Sequence, residues 1–252
     1  MIQMIVNRKP VQVPPDASVL QAIRACGVAL PTLCYHEGLA PYGSCRLCMV
    51  SIAAPRKQLV AACVCPAQEG LVVETETTEA QKARRLVLEF LLGRCPRSEV
   101  IQSLAAEAGV RQSRFTTLQS DDHEELCVLC GLCVRVCQEV IGAAAIGFTE
   151  RGEKRRVGTP FNVQSEACVG CGACAAVCPT GAVRMEDRGN VRILSTWNTR
   201  VDLHGCVQCG TFFVPEKLKV LKTMFPKIEA LWELCPQCRR RLTLRQAKKL
   251  KP

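Results

Sequence analysis

Two runs of cysteine, 127-CVLCGLCVRVC-137 and 168-CVGCGACAAVCP-179, share the spacing C-x2-C-x2-C-x3-C. No hydrophobic core needs eight thiols in duplicated register, so the runs constrain the chain more than any other feature. Three thiolates spaced two residues apart on a tight, glycine-containing loop reach three corners of one cubane. The fourth then opens a helix that leads away from it, and in two-cluster ferredoxins it serves the other cluster. The spacing therefore predicts one [4Fe–4S] site from Cys127, Cys130, Cys133 and Cys178, and a second from Cys137, Cys168, Cys171 and Cys174. A structural-zinc reading would have to explain the duplicated register as coincidence. Gln138 stands where proline often follows the first run, and only the second run has it, as Pro179.

The chain of 252 residues contains 19 cysteines, an odd number, and no apolar leader follows Met1. A disulfide framework is the poorer reading, because most of these cysteines fall into ligand-spaced groups, and a reducing cytoplasm is the expected setting. No apolar run approaches the length of a membrane span. The formal charge of +10 counts every thiol as neutral. Three thiolate-bound iron–sulfur clusters and a four-thiolate zinc would bring the total to about +2. What survives is a basic C-terminal stretch, with eleven Lys and Arg residues from Lys217 to Lys251, either a solvated helical face or a docking face for an acidic partner.

The first 75 residues predict short strands around one helix. Ile2, Met4 and Val6 alternate, Asn7-Arg8-Lys9 turns, and Val11 and Val13 return. Ser18 and Gln21 make a capping-box signature for a helix over Val19–Cys26 that stops at Gly27. Further strands are expected over 49–53, 59–62 and 71–74. From Thr78 the period lengthens to that of a helix carrying Leu86, Leu88, Phe90, Leu91 and Leu92, and a second helix is expected from Ser98 to Ala108. Arg111–Glu125 is polar and expected to be irregular. The organisation is thus an α+β chain in four parts: 1–76, a helical bridge over 77–120, a bacterial-type two-[4Fe–4S] ferredoxin-like part over 121–190, and a C-terminal module over 191–252.

Cys34, Cys45, Cys48 and Cys63 are spaced C-x10-C-x2-C-x14-C, with Cys65 close behind. Plant-type ferredoxins use a tighter first gap. The segments 18-SVLQAIRACGVALPTLCYHEGL-39, 43-GSCRLCMV-50 and 60-VAACVCPAQEGLVVET-75 resemble the [2Fe–2S] domain of the iron–sulfur subunit of NADH dehydrogenases and of the small diaphorase subunit of NAD-reducing hydrogenases. The resemblance extends over roughly 1–190. It implies a β-grasp fold for the first domain, one [2Fe–2S] cluster on Cys34, Cys45, Cys48 and Cys63, and Cys63 rather than Cys65 as fourth ligand, since the relatives' A-C-x-x-P element falls on Ala62-Cys63-Val64-Cys65-Pro66. Cys26 and Cys65 are then expected as small packing residues.

One departure stands out. Such relatives often carry an additional cluster in an H-x3-C-x2-C-x5-C motif, and the aligned positions here are Cys95, Glu99, Gln102 and Ala108. A lone cysteine cannot hold a cubane, so 97–109 is expected to be a structural helix and the relay shorter than in relatives with the motif.

Cys206, Cys209, Cys235 and Cys238 form two C-x2-C knuckles, the usual way to complete a four-sulfur tetrahedron. Zinc in a ribbon-like module is the first expectation, with a further iron site as the alternative. Phe225 and Trp232 are expected to pack in an apolar-periodic helix, which leaves few aromatic side chains for nucleic acid. The sequence shows no G-x-G-x-x-G after a strand and no P-loop, and its three histidines, His36, His123 and His204, make no triad. The expected role is therefore a non-catalytic electron-transfer subunit, relaying single electrons between a flavin/NAD(P)(H) subunit and a catalytic subunit such as a hydrogenase or formate dehydrogenase. A redox sensor or assembly protein is the alternative.

Overall fold

The computed structural model describes residues 1–115, 126–219 and 230–249. His123 and Phe225, and with them the expected irregular stretch beyond residue 115, lie outside these. The chain divides into two units, Met1–Arg135 with Cys178–Ala182, and Val136–Val177 with Val183–Pro252.

In the first unit, β1 (Ile2–Val6) and β2 (Lys9–Val13) form an antiparallel hairpin. Asn7 and Arg8 turn it with positive φ at both positions, as the right-handed twist of the strands favours. The alternation in β1 is the one the sequence suggests: Met4 and Val6 are buried while Gln3 and Ile5 face out. β3 (Met49–Ala54), β4 (Gln58–Ala61) and β5 (Val72–Glu74) complete a mixed sheet of order β2-β1-β5-β3-β4, with β5 parallel to β1. The Asn7 carboxamide accepts from Thr75 N–H at 2.9 Å and donates to Thr75 Oγ1 at 2.8 Å, locking the hairpin to β5.

Helix α1 (Val19–Ala25) starts at the expected capping box, with Ser18 and Gln21 each capping the other's backbone. Its buried face, Val19, Leu20, Ala22 and Ile23, packs with Met4, Val6, Val50, Ile52 and Val73 in one core. Each such aliphatic side chain removed from water contributes about 1.5–3 kcal/mol.

Helix α2 (Thr78–Arg94) begins at Thr77, whose hydroxyl accepts from Ala80 N–H, and α3 (Glu99–Glu107) packs back against it. Arg84 is buried in α2 and ties it to the sheet, donating to Thr75 O at 2.7 Å and Met49 O at 3.1 Å while pairing with Glu76. The core between these helices contains Leu88, Cys95, Ile101 and Ala105 together with Leu33 and Leu47. Leu33 and Leu47 are the neighbours of Cys34 and Cys48, so the helical pair buttresses the cysteine loop from below. Glu99 and Gln102 are exposed, and Gln102 Nε2 donates to Pro96 O at 2.7 Å. Cys95 is fully buried among apolar side chains, which pushes its thiol up to about 12 through burial. Cys95→Ala is therefore expected to cost about 1 kcal/mol of stability, measured by denaturant unfolding, with no loss of iron.

A short helix α4 (Leu132–Arg135) ends the continuous part of this unit. In the second unit a π turn over Val136–Val140 continues the chain. The hairpin β6 (Gly147–Thr149) and β7 (Arg156–Gly158) and the short helix α5 (Ala173–Ala176) follow. Strands β8 (Glu186–Arg188), β9 (Val191–Leu194), β10 (Thr199–Gly205) and β11 (Phe212–Pro215) then form an antiparallel sheet of order β11-β10-β9-β8. Thr199, Val201 and Leu203 of β10 alternate inward, and helices α6 (Ala230–Glu233) and α7 (Pro236–Lys249) complete the unit. Among the described residues, no helix is long and apolar enough to cross a membrane.

Candidate metal centres

The loop after α1 is pinned by buried Leu30, Leu33 and Leu47, and the sulfurs between these pins converge. Leu33 N–H donates to Cys45 Sγ and Cys45 N–H donates to Cys34 Sγ, both at 3.4 Å. The thiols of Cys45 and Cys63 also donate to Cys34, holding it down at about 2, while Cys45 and Cys63 are themselves driven upward. The neighbouring Cys63 also lowers Cys48 to about 7. The four sulfurs thus lie close enough to perturb one another's ionisation. Cys65 stands apart: its Sγ–H donates to Pro66 O, and burial alone raises it. Gly43, at φ +67°, lets Val64 approach so closely that a Cβ there would meet Val64 Cγ1 at 3.0 Å.

The same unit gathers Cys127, Cys130, Cys133 and Cys178. Leu129 and Gly131 take positive φ and fold the loop tightly before α4 begins. Burial pushes the Cys130 thiol up to about 11, and the nearby charges of Cys178 and Cys127 add to the shift. Arg94 Nε donates to Cys127 O at 3.1 Å. Arg135, between two cysteines of the first run, is buried and donates through Nη2 to Cys34 O at 2.7 Å and through Nη1 to Ala40 O, with its guanidinium over the Tyr42 ring. Its only sequence signal is its place inside a ligand run.

In the second unit, Cys137, Cys168, Cys171 and Cys174 line one apolar cavity with Ile141, Ile146, Leu194 and Trp197. Two N–H groups aim at its sulfurs: Ala145 N–H at Cys137 Sγ and Trp197 Nε1–H at Cys174 Sγ, each at 3.4 Å. Burial drives the Cys174 thiol up to about 11 against the opposing Trp197 bond. The glycines of the second run are required by space. A Cβ on Gly170 would stand 2.8 Å from Val201 Cγ2, and one on Gly172, at φ +79°, would stand 2.6 Å from Met185 Sδ. Arg192 of β9 also grips this loop with Nη1 on Gly170 O at 3.0 Å, and Lys217, in the turn after β11, places Nζ on Glu166 O and Cys168 O. These donors are not foreseeable from the sequence, because they come from a strand and a turn far along the chain.

The last group lies at the end of the sheet and the start of α7. The sulfurs of Cys206, Cys209, Cys235 and Cys238 all lie within 4.8 Å of one another, and Cys209 and Cys235 are 3.7 Å apart. Four thiolates about 2.3 Å from one ion stand about 3.8 Å apart, so the group has the dimensions of a single-ion tetrahedron. Burial opposes ionisation of Cys206, yet backbone N–H groups of Cys235, Gln208 and Cys209 bring it down to about 6. Gly210, at φ +72°, closes the first knuckle with its N–H on Cys206 O at 2.8 Å.

The remaining candidates lie elsewhere. Cys26 and Cys65 are half-buried against the first core. His36 Nδ1 accepts from Gly38 N–H, and His204 faces Glu216 at 3.8 Å.

The stretches that carry the first three cysteine groups match known proteins. A model described as a 2Fe-2S iron-sulfur cluster binding domain matches residues 1–78, and one described as a 4Fe-4S dicluster domain matches 126–182 and 167–211. The chain is 33% identical over 178 residues to the mitochondrial NADH dehydrogenase [ubiquinone] iron-sulfur protein 1 of Solanum tuberosum, covering 63% of this chain and 24% of that protein. It is likewise 33% identical over 205 residues to an NADH-quinone oxidoreductase subunit of Rhizobium meliloti, covering 73% of this chain and 24% of that protein. It thus spans about a quarter of the length of these curated relatives. Among solved structures, a chain of an NAD+-reducing [NiFe]-hydrogenase crystallised in the H2-reduced state aligns with a TM-score of 0.55 at 30% identity, over 62% of this chain and 74% of that one.

Proposed function

Because the chain belongs to the family of iron–sulfur electron-transfer subunits found in NADH dehydrogenases and NAD-reducing hydrogenases, we propose that it relays single electrons between a flavin/NAD(P)(H)-binding subunit and a catalytic redox subunit, such as a hydrogenase or formate dehydrogenase. The observation that carries the reading is the crossing of the two cysteine runs. Cys178, last of the second run, falls in the same unit as Cys127, Cys130 and Cys133, whereas Cys137, last of the first, falls with Cys168, Cys171 and Cys174. This supports two [4Fe–4S] clusters with exchanged fourth ligands, beside a [2Fe–2S] cluster on Cys34, Cys45, Cys48 and Cys63 in a β-grasp domain.

Bound clusters supply one-electron chemistry at potentials set by their surroundings. The chain's own residues do the rest. Buried leucines and the helical pair hold the N-terminal loop. Arg135 ties the backbone of Cys34 to α4, between Cys133 and Cys137. The lining around the second run is apolar.

The sulfur spacing at Cys206, Cys209, Cys235 and Cys238 favours one metal ion over a cubane, whose thiolates each bind a different iron and stand farther apart. Zinc in a ribbon-like module is the assignment for that site. It also closes the division of the chain into 1–76, 77–120, 121–190 and 191–252. Anaerobically purified protein is expected to contain about 10 iron atoms and about one zinc per chain by elemental analysis. About 14 iron atoms with no zinc would move the last site to a fourth cluster.

A further inference from the structure

We propose that Trp197 raises the reduction potential of the cluster held by Cys137, Cys168, Cys171 and Cys174, by donating its indole N–H to the Cys174 sulfur. The inference rests on the ligand assignment above.

The contact is a built one. Trp197 is 2% exposed and Cys174 9%, and the Nε1–Sγ distance is 3.4 Å. The ring sits at the end of a 3-10 turn between β9 and β10, where Asn198 takes φ 49° to reverse the chain. Fully buried Thr199 then donates its hydroxyl to Trp197 O at 3.0 Å. An indole N–H can only donate, and a buried donor requires an acceptor. Here the acceptor is a metal-ligand sulfur.

The electrostatic sign follows. Oxidised and reduced forms of the cluster differ by one electron, so the thiolates carry more negative charge after reduction. A fixed N–H dipole with its positive end on one of them stabilises the reduced form more than the oxidised form. Arg192 also reaches this loop, but its charge is compensated by Asp187 at 2.7 and 2.8 Å. Ala145 N–H on Cys137 Sγ acts in the same direction from the backbone. Lys217 reaches the backbone of this loop at Glu166 O and Cys168 O, whereas Trp197 is a side chain that acts on a ligand sulfur itself.

The test is an EPR-monitored redox titration of the anaerobically purified full chain, wild type against Trp197→Phe. At a fixed potential near the midpoint, the reduced-to-oxidised ratio of this cluster is expected to fall about tenfold in the variant, a downward shift of about 59 mV for a one-electron couple. Iron content and the midpoints of the other clusters should hold. Full iron with an unmoved or raised midpoint would overturn the proposal.

Should the variant lose its iron, the wild type decides the matter. The chain has two tryptophans, and with 15N-indole label the reduced cluster should show a hyperfine-coupled nitrogen that persists in Trp232→Phe. No coupled indole nitrogen would overturn the proposal. Cys171→Ser separates this from an error in the ligand set: if it leaves both [4Fe–4S] spectra intact, the assignment itself is wrong.

Discussion

Cys178→Ser is expected to remove the same [4Fe–4S] spectrum as Cys130→Ser, although residue 178 belongs to the other cysteine run. Cys137→Ser should match Cys171→Ser in the same way. Each variant should lose about four iron atoms per chain by elemental analysis. Altering a residue that merely orients a ligand costs about 10–100-fold in metal affinity, and removal of the ligand itself costs more. The basis is spatial. Cys178 contributes to the electrostatics of the buried Cys130 thiol, whereas Cys137 lines the same cavity as Cys168, Cys171 and Cys174. Electron flow from NAD(P)H through the assembled complex should drop to background in both variants. If Cys178→Ser instead reproduces the spectrum of Cys171→Ser, the fourth ligands are not exchanged and each run closes on itself.

The second large effect is expected in the N-terminal domain. Cys63→Ser should abolish or strongly distort the [2Fe–2S] EPR signal, and Cys65→Ser should leave it nearly unchanged. The two positions are separated by a single residue, yet their surroundings differ. Cys63 is 1% exposed and its thiol interacts with those of Cys34 and Cys48. Cys65 turns its thiol to Pro66 O instead. A turn accounts for the opposite behaviour, because residues two apart share a face only while the chain stays extended, and Val64 N–H closes a turn onto Ala61 O here. A [2Fe–2S] signal that survives Cys63→Ser and is lost in Cys65→Ser would move the fourth ligand.

The helical pair α2 and α3 has a clearer purpose in the folded chain than in the sequence. The substitution of Glu99, Gln102 and Ala108 into a one-histidine, three-cysteine motif says only what is missing. The packing says what remains: Leu88, Cys95, Ile101 and Ala105 form a floor for Leu33 and Leu47, the residues beside Cys34 and Cys48. A segment without a ligand set of its own thereby still stabilises a neighbouring one.

Much of the protein is decided locally and is therefore legible in the sequence. Alternation in β1, the Ser18–Gln21 capping box and the long helical period after Thr78 each express backbone preferences over a few residues, and the strands and helices form where these signals lie. The cysteine runs are legible for a related reason: ligand spacing on a tight loop is dictated by the geometry of the loop and by the size of the cluster. The iron–sulfur character of the two cysteine-rich parts is legible in that spacing, and the resemblance of segments 18–39, 43–50 and 60–75 points to the electron-transfer family. What only the tertiary structure decides are the groups that surround the sulfurs. Arg135 on Cys34 O, Trp197 on Cys174 Sγ, Arg192 on Gly170 O and Lys217 on Cys168 O are ordinary residues by type and spacing. Whether an arginine is solvated or buried against a carbonyl, and whether an indole N–H meets a sulfur, depends on which distant segments the core brings together, and that is set by the packing of the whole unit rather than by any local pattern.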